Sequence, residues 1–429
     1  MTFWRVANRP DQGKMSPVNR SDVHRERSDA PRVAIVGYPG HAMVSRLYAE
    51  LQRRGRDVTL VTPDAVVTEV RDEAVLVRPF CDQPPYAFVL LTVSTDHIAA
   101  LQGVSALARS GVRVANSAPA VMRAADKFAT AEVLARAGVR VPRTVSVCTT
   151  RAAEAEARRM GYPVVLKAAD GSEGGQVSLV NDAQHLATEI ERIRASLGLA
   201  PSVNSPLVLQ PVVGSTLGRD RRLFVVSGAV QGAMDRVARA GEWRSNLSWG
   251  ATPVAAEATS EEVAMAVAAA DALGLDFGTV DLIHDEHGPV VIEANPFGDI
   301  LDVGMVSGLD LVGSLADLVD TRAGIRHGEP IVARPLRSAE RSALSDFCWD
   351  RLRRRIENLE ATQPVRTSVP ESGGTRQPWG PISDITTYPG DGDHTVPLQH
   401  GNPKATATSR GWDTLSRTST TKLNTSSGG

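Results

Sequence analysis

The chain of 429 residues contains few cysteines and few aromatic residues, and each scarcity excludes a class of protein. The three cysteines, Cys81, Cys148 and Cys348, are isolated and lack CxxC spacing, so neither a disulfide framework nor a thiolate zinc site is expected. Aromatic residues form 4% of the chain, which argues against a stacking platform for single-stranded nucleic acid. The cysteine usage fits a reducing compartment, and we expect the protein to be cytoplasmic.

The chain also lacks an excess of charge and a long apolar run. Its 47 Lys and Arg residues nearly balance 49 Asp and Glu residues, so net charge provides no attraction to nucleic acid or to an anionic membrane. The longest apolar runs, such as 86–91, are far shorter than a membrane span. The first residues, MTFWRVANRPDQGKMS, are rich in charge and contain no apolar segment of a signal peptide. The length is sufficient for two or three domains.

Residues 32–117 alternate short β-branched runs with amphipathic stretches, which predicts an α/β domain with a parallel sheet. Asp96 is expected to cap a helix that runs to about Ser110. The turn GYPG does not match the GxGxxG fingerprint of dinucleotide-binding proteins. The hypothesis of an NAD-binding oxidoreductase is therefore supported only by the alternation of strands and helices. Strands are predicted at 32–40, 57–62, 86–93 and 112–116.

Residues 118–333 predict a second, larger domain that mixes helices and strands. Thr259 and Glu262 have the spacing of a capping box ahead of an alanine-rich helix that ends at Gly274. The sequence HDEHG predicts a tight hairpin between two apolar strands, 277–283 and 289–295. The other predicted elements are helices at about 126–138 and 309–319 and strands at 163–169, 177–180, 207–213, 221–228 and 229–238.

The two ends of the chain differ from the rest in composition. Residues 1–31 are polar and without periodicity, and residues 361–429 are rich in Thr, Ser, Gly and Pro, so we expect a disordered leader and a disordered tail. Residues 334–360 include the basic sequence RLRRRIENLE and are expected to form a helical segment beyond the globular part, which the helix at 309–319 completes.

Asp281, Glu293 and Asn295 form the most informative group of polar residues. In the predicted hairpin Asp281 and Glu293 lie nearly opposite each other, and alternation places Glu293 and Asn295 on one face. Two carboxylates and an amide oxygen are hard ligands that suit magnesium. The alternative, that all three are solvent-facing residues at the hairpin edge, is weaker because they occur in strongly apolar strands.

Several cationic residues are candidates for binding phosphate or carboxylate groups. Lys167 ends a predicted strand directly before the glycine-rich loop DGSEGGQ, whose backbone N–H groups could bind phosphate oxygens. The spacing is not that of a P-loop, and taken alone each of Lys167 and Lys127 is more often an exposed, solvated lysine, Lys127 even more so than Lys167. A set of arginines indicates either an anionic substrate or the solvated face of a hairpin. Its members are Arg222, Arg236, Arg239 and Arg244.

The order of these motifs resembles the ATP-grasp superfamily, in particular the RimK-type and LysX-type carboxylate–amine ligases. The similarity extends from NSAPAVMRAADK at 116–127 to SGLDLVG at 307–313. Between them, the resemblance is carried by GYPVVLK, GRDRRLFVV, GEWRSNL, GTVDL and VIEAN. It implies an α/β and α+β fold: an N-terminal parallel-sheet domain (32–117), then an ATP-grasp domain (118–333) whose lid, at about 143–212, and catalytic subdomain hold ATP between them.

The resemblance also implies a role for each candidate residue. Lys127 and Lys167 correspond to the family's two ATP-binding lysines. Gly174 and Gly175 correspond to its flap over the phosphates. The adenine hinge corresponds to Gln210, Pro211 and Val212, and further nucleotide contacts to Asp220, Arg244, Ser245 and Asn246. Active-site arginines correspond to Arg222, Arg236 and Arg244, and magnesium ligands to Asp281, Glu293 and Asn295. The implied cofactors are ATP and two Mg²⁺ ions, with Mn²⁺ as a substitute.

Three features depart from the family pattern. Pro211 replaces an acidic residue and has no N–H, which leaves the Gln210 carbonyl and the Val212 N–H for adenine. The flap sequence GSEGGQ adds Glu173 near the phosphates. The sequence PFGDILDVG after Asn295 replaces the family's substrate loop, so the substrate of RimK itself is not implied.

The implied reaction is activation of a carboxylate by ATP to an acylphosphate, followed by attack of an amine to form an amide. The implied partners are carboxylate and amine substrates, either small molecules or peptides, with no nucleic acid and no membrane. Homo-oligomers are frequent in the family. Two alternatives remain open: a maturase that crosslinks side chains of ribosomal peptides, and an ATP-binding protein without turnover.

Overall fold

The computed structural model describes residues 31–82, 85–171, 174–198, 205–214 and 217–362. The predicted leader and tail lie outside these ranges except at their inner ends, and Glu173 of the flap also lies outside them. Of the helices in the described ranges, none combines the length and the apolar character that a membrane span requires.

A parallel sheet forms the first part of the described chain, as the alternation of strands and helices predicts. Its elements are β1 (Val33–Val36), α1 (Ala42–Arg53), β2 (Val58–Val61), β3 (Val67–Arg71), β4 (Ala74–Arg78), β5 (Phe88–Leu91), α2 (Ile98–Arg109) and β6 (Arg113–Ala115). The strand order is β2-β1-β5-β6, with every neighbouring pair parallel, and β3 and β4 form a separate hairpin. Strands β1 and β5 are buried along their whole length, as expected for a parallel sheet covered on both faces.

The start of α2 differs from the prediction. Asp96 does not cap this helix, because residues Thr95–His97 first form a one-turn 3-10 helix and α2 begins at Ile98. The Asp96 carboxylate instead accepts a hydrogen bond from the Ser94 hydroxyl at 3.2 Å. The side chain is therefore engaged locally before the helix starts.

An antiparallel sheet with its own core follows. The next elements are α3 (Ala118–Ala125), α4 (Lys127–Arg136), β7 (Val145–Val147), α5 (Thr150–Met160), β8 (Val164–Ala168), β9 (Val177–Val180), α6 (Ala183–Ser196) and β10 (Leu207–Pro211). The strand order is β7-β10-β8-β9. Buried side chains of these strands and of α5 and α6, such as Leu166, Ile190 and Leu209, form a separate apolar cluster. We call residues 143–212 the lid.

A five-stranded antiparallel sheet carries the polar hairpin. The remaining elements are β11 (Arg219–Val226), β12 (Ala229–Val237), β13 (Thr252–Ala255), α7 (Ser260–Leu273), β14 (Phe277–Asp285), β15 (Gly288–Asn295), α8 (Leu301–Ser307), α9 (Leu311–Arg322) and α10 (Ser338–Thr362). The strand order is β13-β12-β11-β14-β15. The predicted capping box of Thr259 and Glu262 is confirmed, as is the predicted hairpin, in which Asp281 lies opposite Glu293.

The globular part does not end where the sequence predicted. The predicted last helix is α9, but the chain continues into α10, which packs against α8. Leu344, Cys348 and Leu352 recur every fourth residue along α10 and are buried. The prediction that residues 334–360 lie beyond the globular part is therefore wrong, because one face of this basic helix is apolar.

Asn116 joins the parallel sheet to the five-stranded sheet. Its buried side chain donates from Nδ2 to the carbonyl oxygens of Phe277 at 2.8 Å and of Pro296 at 2.9 Å. Its Oδ1 accepts hydrogen bonds from the N–H groups of Asp276 and Phe277. A single apolar cluster also includes side chains of β1, α1, α9 and α10, so these elements form one packed body.

Candidate active site

Two adjoining cavities lie among the predicted site residues. The first, which we call the lid cleft, has a volume of about 140 Å³ and is lined by residues of the lid and of the five-stranded sheet. The second, which we call the body cavity, has a volume of about 320 Å³ and is lined by residues of all three sheet regions and of α10. Both cavities are lined by Gly171, Arg236, Asn246 and Glu293. The two spaces therefore meet at these residues.

The two predicted lysines both line the lid cleft. Lys167 lies on β8, and burial lowers its pKa to about 8, although the Glu293 carboxylate acts in the opposite direction. Lys127 is the first residue of α4, because Asp126 caps this helix through its side chain. The Lys127 ammonium donates a hydrogen bond to the Gly171 carbonyl at 2.6 Å. A polyanion in this cleft would compensate the charge of a lysine that burial disfavours.

The predicted hinge and flap have different relations to the cleft. Gln210, Pro211 and Val212 line it at the end of β10, and the Gln210 side chain donates to the Thr144 hydroxyl at 3.0 Å. Gly174 also lines it, with φ of 73° and so little space that a side chain there would come within 2.7 Å of Asn246 Oδ1.

Gly175 is placed differently from Gly174. Its carbonyl accepts a hydrogen bond from Arg192 at 3.1 Å, and it is not among the residues that line either cavity. Of the two flap glycines, Gly174 is therefore the one that contacts the cleft.

A buried ion network lies between the strands of the five-stranded sheet. Arg222 donates from Nε and Nη2 to the two oxygens of Asp281, each at 2.7 Å, and Arg236 donates to Asp281 at 2.9 Å. Arg236 also binds Asp220, at 2.7 and 2.6 Å. The strand register places Arg222 opposite Asp281 and Asp220 opposite Arg236. Although burial raises the pKa of Asp281, the arginines hold it below the usual value.

The three predicted metal ligands differ in how far they are already engaged. Glu293 lines both cavities, and its side chain makes no hydrogen bond or ion pair with any described residue. Asn295 lines the body cavity, and its buried Nδ2 has no partner among the described residues. Asp281 accepts three hydrogen bonds from arginines, which leaves about one of its roughly four acceptor sites. Carboxylate and amide oxygens suit Mg²⁺, and of the three residues Glu293 and Asn295 reach a cavity, whereas Asp281 is fully buried.

The predicted nucleotide contacts in 220–246 also line the lid cleft. The Ser245 hydroxyl donates to Asp220. Arg244 forms an ion pair with Glu242 at 2.9 Å, and its guanidinium lies 3.3 Å from the centre of the Trp249 ring. The Glu242 carboxylate thus fixes the position of Arg244 beside the cleft.

The structure brings nearly all predicted site residues to the two cavities. Gly175, Arg239 and Asp281 are the exceptions, and Asp281 is fully buried behind Arg222. Two residues that the sequence analysis did not identify, His41 and Arg355, also line the body cavity. Arg355 could have been found from the apolar residues that recur every fourth position in α10, because Arg355 follows Leu352 by three residues and so lies on the packed side of the helix. No pattern in the sequence pointed to His41.

Comparisons with known proteins agree with this geometry. A family model described as a RimK-like ATP-grasp domain matches residues 124–319. A probable alpha-L-glutamate ligase of Thioalkalivibrio sulfidiphilus is 34% identical over 214 residues, which cover 50% of this chain and 69% of that protein. A probable alpha-L-glutamate ligase of Parasynechococcus marenigrum is 30% identical over 227 residues, which cover 52% of this chain and 47% of that protein.

A solved structure of the ATP-grasp ligase PsnB, complexed with minimal precursor, Mg and ADP, has a TM-score of 0.52. It is 18% identical, and the match covers 68% of this chain and 98% of that one. The fold is therefore that of the ATP-grasp enzymes, and the predicted fold class is confirmed.

The chain belongs to the RimK-like ATP-grasp family. At the level of the family, the predicted class of ATP-dependent carboxylate–amine ligase is confirmed, and such ligases use ATP and Mg²⁺. The chain spans 47% of the length of the Parasynechococcus protein, so the reaction of the whole protein is a separate proposal.

Proposed function

We propose that the protein joins a carboxylic acid to an amine in an ATP-dependent reaction. The carboxylate attacks the γ-phosphorus of ATP, which forms an acylphosphate and releases ADP. The amine then attacks the acyl carbon, phosphate leaves, and an amide bond and a proton are produced. The observation that carries the proposal is the position of Glu293, an unpaired carboxylate shared by the lysine-lined cleft and the larger body cavity.

The described residues support different roles for the two cavities, with the nucleotide in the lid cleft and the substrate in the body cavity. Lys127 and Lys167 would bind the phosphates in the lid cleft, where Gln210 and Val212 would contact adenine. Arg222 and Arg236 border the body cavity, and each keeps Nη1 free of a described hydrogen-bond partner for an anionic group. Closure of the lid would keep water from the acylphosphate.

Glu293, Asn295 and Asp281 would hold Mg²⁺. When bound, the ion would neutralise phosphate charge during transfer. We propose two ions, with Mn²⁺ as a substitute; metal titration against ADP release tests both points. We also propose that the lid at 143–212 is a distinct subdomain, which its separate apolar cluster supports.

An amino acid is favoured over a larger peptide as substrate. The body cavity of about 320 Å³ is at the lower end of the range of small-molecule sites. PsnB is described with a precursor, so peptide modification is the second candidate for this chain. Mass analysis of products from a panel of amino acids and peptides distinguishes the two.

Replacement of Glu293 tests the proposed reaction. We expect wild-type protein to release ADP with Mg²⁺, ATP and a suitable acid and amine, and Glu293→Gln to lose at least about 100-fold of this rate because charge stabilisation at the phosphates is lost. Glu286→Gln is the matched control, since Glu286 lies in the turn of the same hairpin and is 85% exposed. Equal ADP release by Glu293→Gln and wild type would contradict the proposal.

A further inference from the structure

Helix α10 lies outside the matched region 124–319, yet it contributes Arg355 to the body cavity. The helix is anchored one turn earlier by Arg351, which binds Asp299 at 2.5 Å and Asp302 at 2.6 Å. Residues four apart lie on the same face of a helix, so Arg355 follows Arg351 on the packed side. Arg355 is accordingly half-buried.

The anchoring aspartates lie in the loop after β15 (Asp299) and in the first turn of α8 (Asp302), within the segment where this chain departs from the family pattern. Asp299 and Asp302 both lie in PFGDILDVG and both line the body cavity. On its other side the loop packs against the parallel sheet, where the Phe297 ring lies 4.8 Å from the His41 ring. The loop and α10 therefore form one wall of the cavity together.

Arg355 differs from the other arginines at this cavity. Arg222 and Arg236 are bound to Asp281 and Asp220. Arg355 makes no hydrogen bond or ion pair with a described residue, although burial raises the pKa of Asp302, and Arg355, like Arg351, acts on that carboxyl in the opposite direction. The carboxylates of Asp299 and Asp302 are engaged by Arg351. A half-buried guanidinium that makes no hydrogen bond with a described residue keeps its N–H donors for an anionic group of a ligand.

Arg355 is not placed to bind the triphosphate of ATP. Arg355 lines the body cavity but not the lid cleft, whereas Lys127 and Lys167 line the lid cleft but not the body cavity. The anionic group that reaches Arg355 therefore belongs to the second substrate space.

We propose that Arg355 is a specificity-determining residue that binds a carboxylate of the substrate other than the group that reacts. This inference rests on the proposed ligase function. It implies that the substrate is an amino acid that keeps one carboxylate unreacted. L-glutamate is a suitable probe because it keeps an unreacted carboxylate whether it serves as the acid or as the amine.

Calorimetric titration of L-glutamate into the full-length protein, with Mg²⁺ and a nonhydrolysable ATP analogue present, tests the proposal. We expect Arg355→Met to raise the dissociation constant at least about tenfold, because it removes charged hydrogen bonds but keeps the apolar stem. Arg355→Lys should give an intermediate value, since it restores the charge without the planar fork. Affinity for the ATP analogue should be unchanged in both variants.

Arg354→Met is the matched control, because Arg354 is the adjacent residue, is 70% exposed and pairs with Asp350 on the same helix. It should bind L-glutamate like the wild type. Equal affinities for wild type and Arg355→Met, or no binding of L-glutamate by the wild type, would overturn the inference. If wild-type protein releases no ADP but binds L-glutamate through Arg355, the proposed reaction fails and the inference about Arg355 stands.

Discussion

At the scale of single residues, Asp281 and Glu293 are neighbours in register but have different physical roles. Asp281 is fully buried and neutralises two buried arginines, whereas Glu293 is partly exposed and makes no side-chain pairing with a described residue. Removal of Asp281 would leave the charges of two buried arginines uncompensated, whereas removal of Glu293 breaks no ion pair with a described residue and loses only its longer-range attraction for Lys167.

We therefore expect Asp281→Asn to lower the free energy of unfolding by about 3–5 kcal/mol. Glu293→Gln should change it by about 1 kcal/mol at most, even though it slows ADP release at least about 100-fold. Denaturant unfolding of both variants measures the difference. Equal stabilities of the two variants would show that Asp281 does not stabilise the network.

The sequence allowed part of this site to be predicted. Alternation along a hairpin centred on HDEHG predicts that Asp281 and Glu293 lie nearly opposite each other, but their exact pairing depends on a register shift between Asp281 and Leu282 that the sequence did not indicate. The pairing of Arg222 with Asp281 could not be predicted, because it depends on β11 lying beside β14, some 50 residues further along the chain. The arginines were therefore predicted as substrate ligands without the carboxylates that they bind.

At the scale of secondary structure elements, Asn116 connects β6 with β14 and with the loop after β15. Its amide satisfies four backbone groups that are otherwise buried at the junction. The loop after β15 is one of those that line the body cavity. The Asn116 side chain therefore helps to fix the position of this loop relative to the parallel sheet, together with the contact between Phe297 and His41.

We expect Asn116→Ala to lower the free energy of unfolding by about 3 kcal/mol or more, because buried backbone groups lose their partners. Asn181→Ala is the control, since Asn181 is exposed and should change stability by less than about 0.5 kcal/mol. Thermal or denaturant unfolding measures both. A change for Asn116→Ala as small as that for Asn181→Ala would contradict this role.

Helix α10 shows why element prediction failed at the end of the globular part. The basic residues of 351–360 dominate its composition, and composition alone indicated a solvated helix. The packing depends instead on a few apolar side chains at four-residue spacing, of which Cys348 is almost fully buried. Burial raises the pKa of this thiol to about 12, so it behaves as an apolar residue at neutral pH.

At the scale of the whole molecule, the lid has its own apolar cluster, while the parallel sheet shares one with the helices that cover the five-stranded sheet. A nucleotide in the lid cleft would contact residues from both sides. Ligand binding should therefore stabilise the protein as a unit, by the linkage between binding and folding.

We expect saturating Mg²⁺ and ADP to raise the melting temperature, with a gain of about 2.7 kcal/mol at one hundred times the dissociation constant. Lys167→Met should reduce this gain at the same ADP concentration, because one phosphate-binding charge is lost. Arg158→Met provides the control, since Arg158 is 63% exposed on α5. Differential scanning fluorimetry measures the shifts. An unchanged shift in Lys167→Met would argue against this lysine as a nucleotide ligand.

The ion pairs from Arg351 to Asp299 and Asp302 bear on how substrate preference could be exchanged between relatives. A chimera that received residues 124–319 from another member would place that member's loop against the resident α10, and Arg351 would keep its ion pairs only where the new loop carries acidic residues at the same places. Successful grafts would have to transplant both segments at once, and natural divergence at this pocket should show paired changes in two distant stretches of the gene.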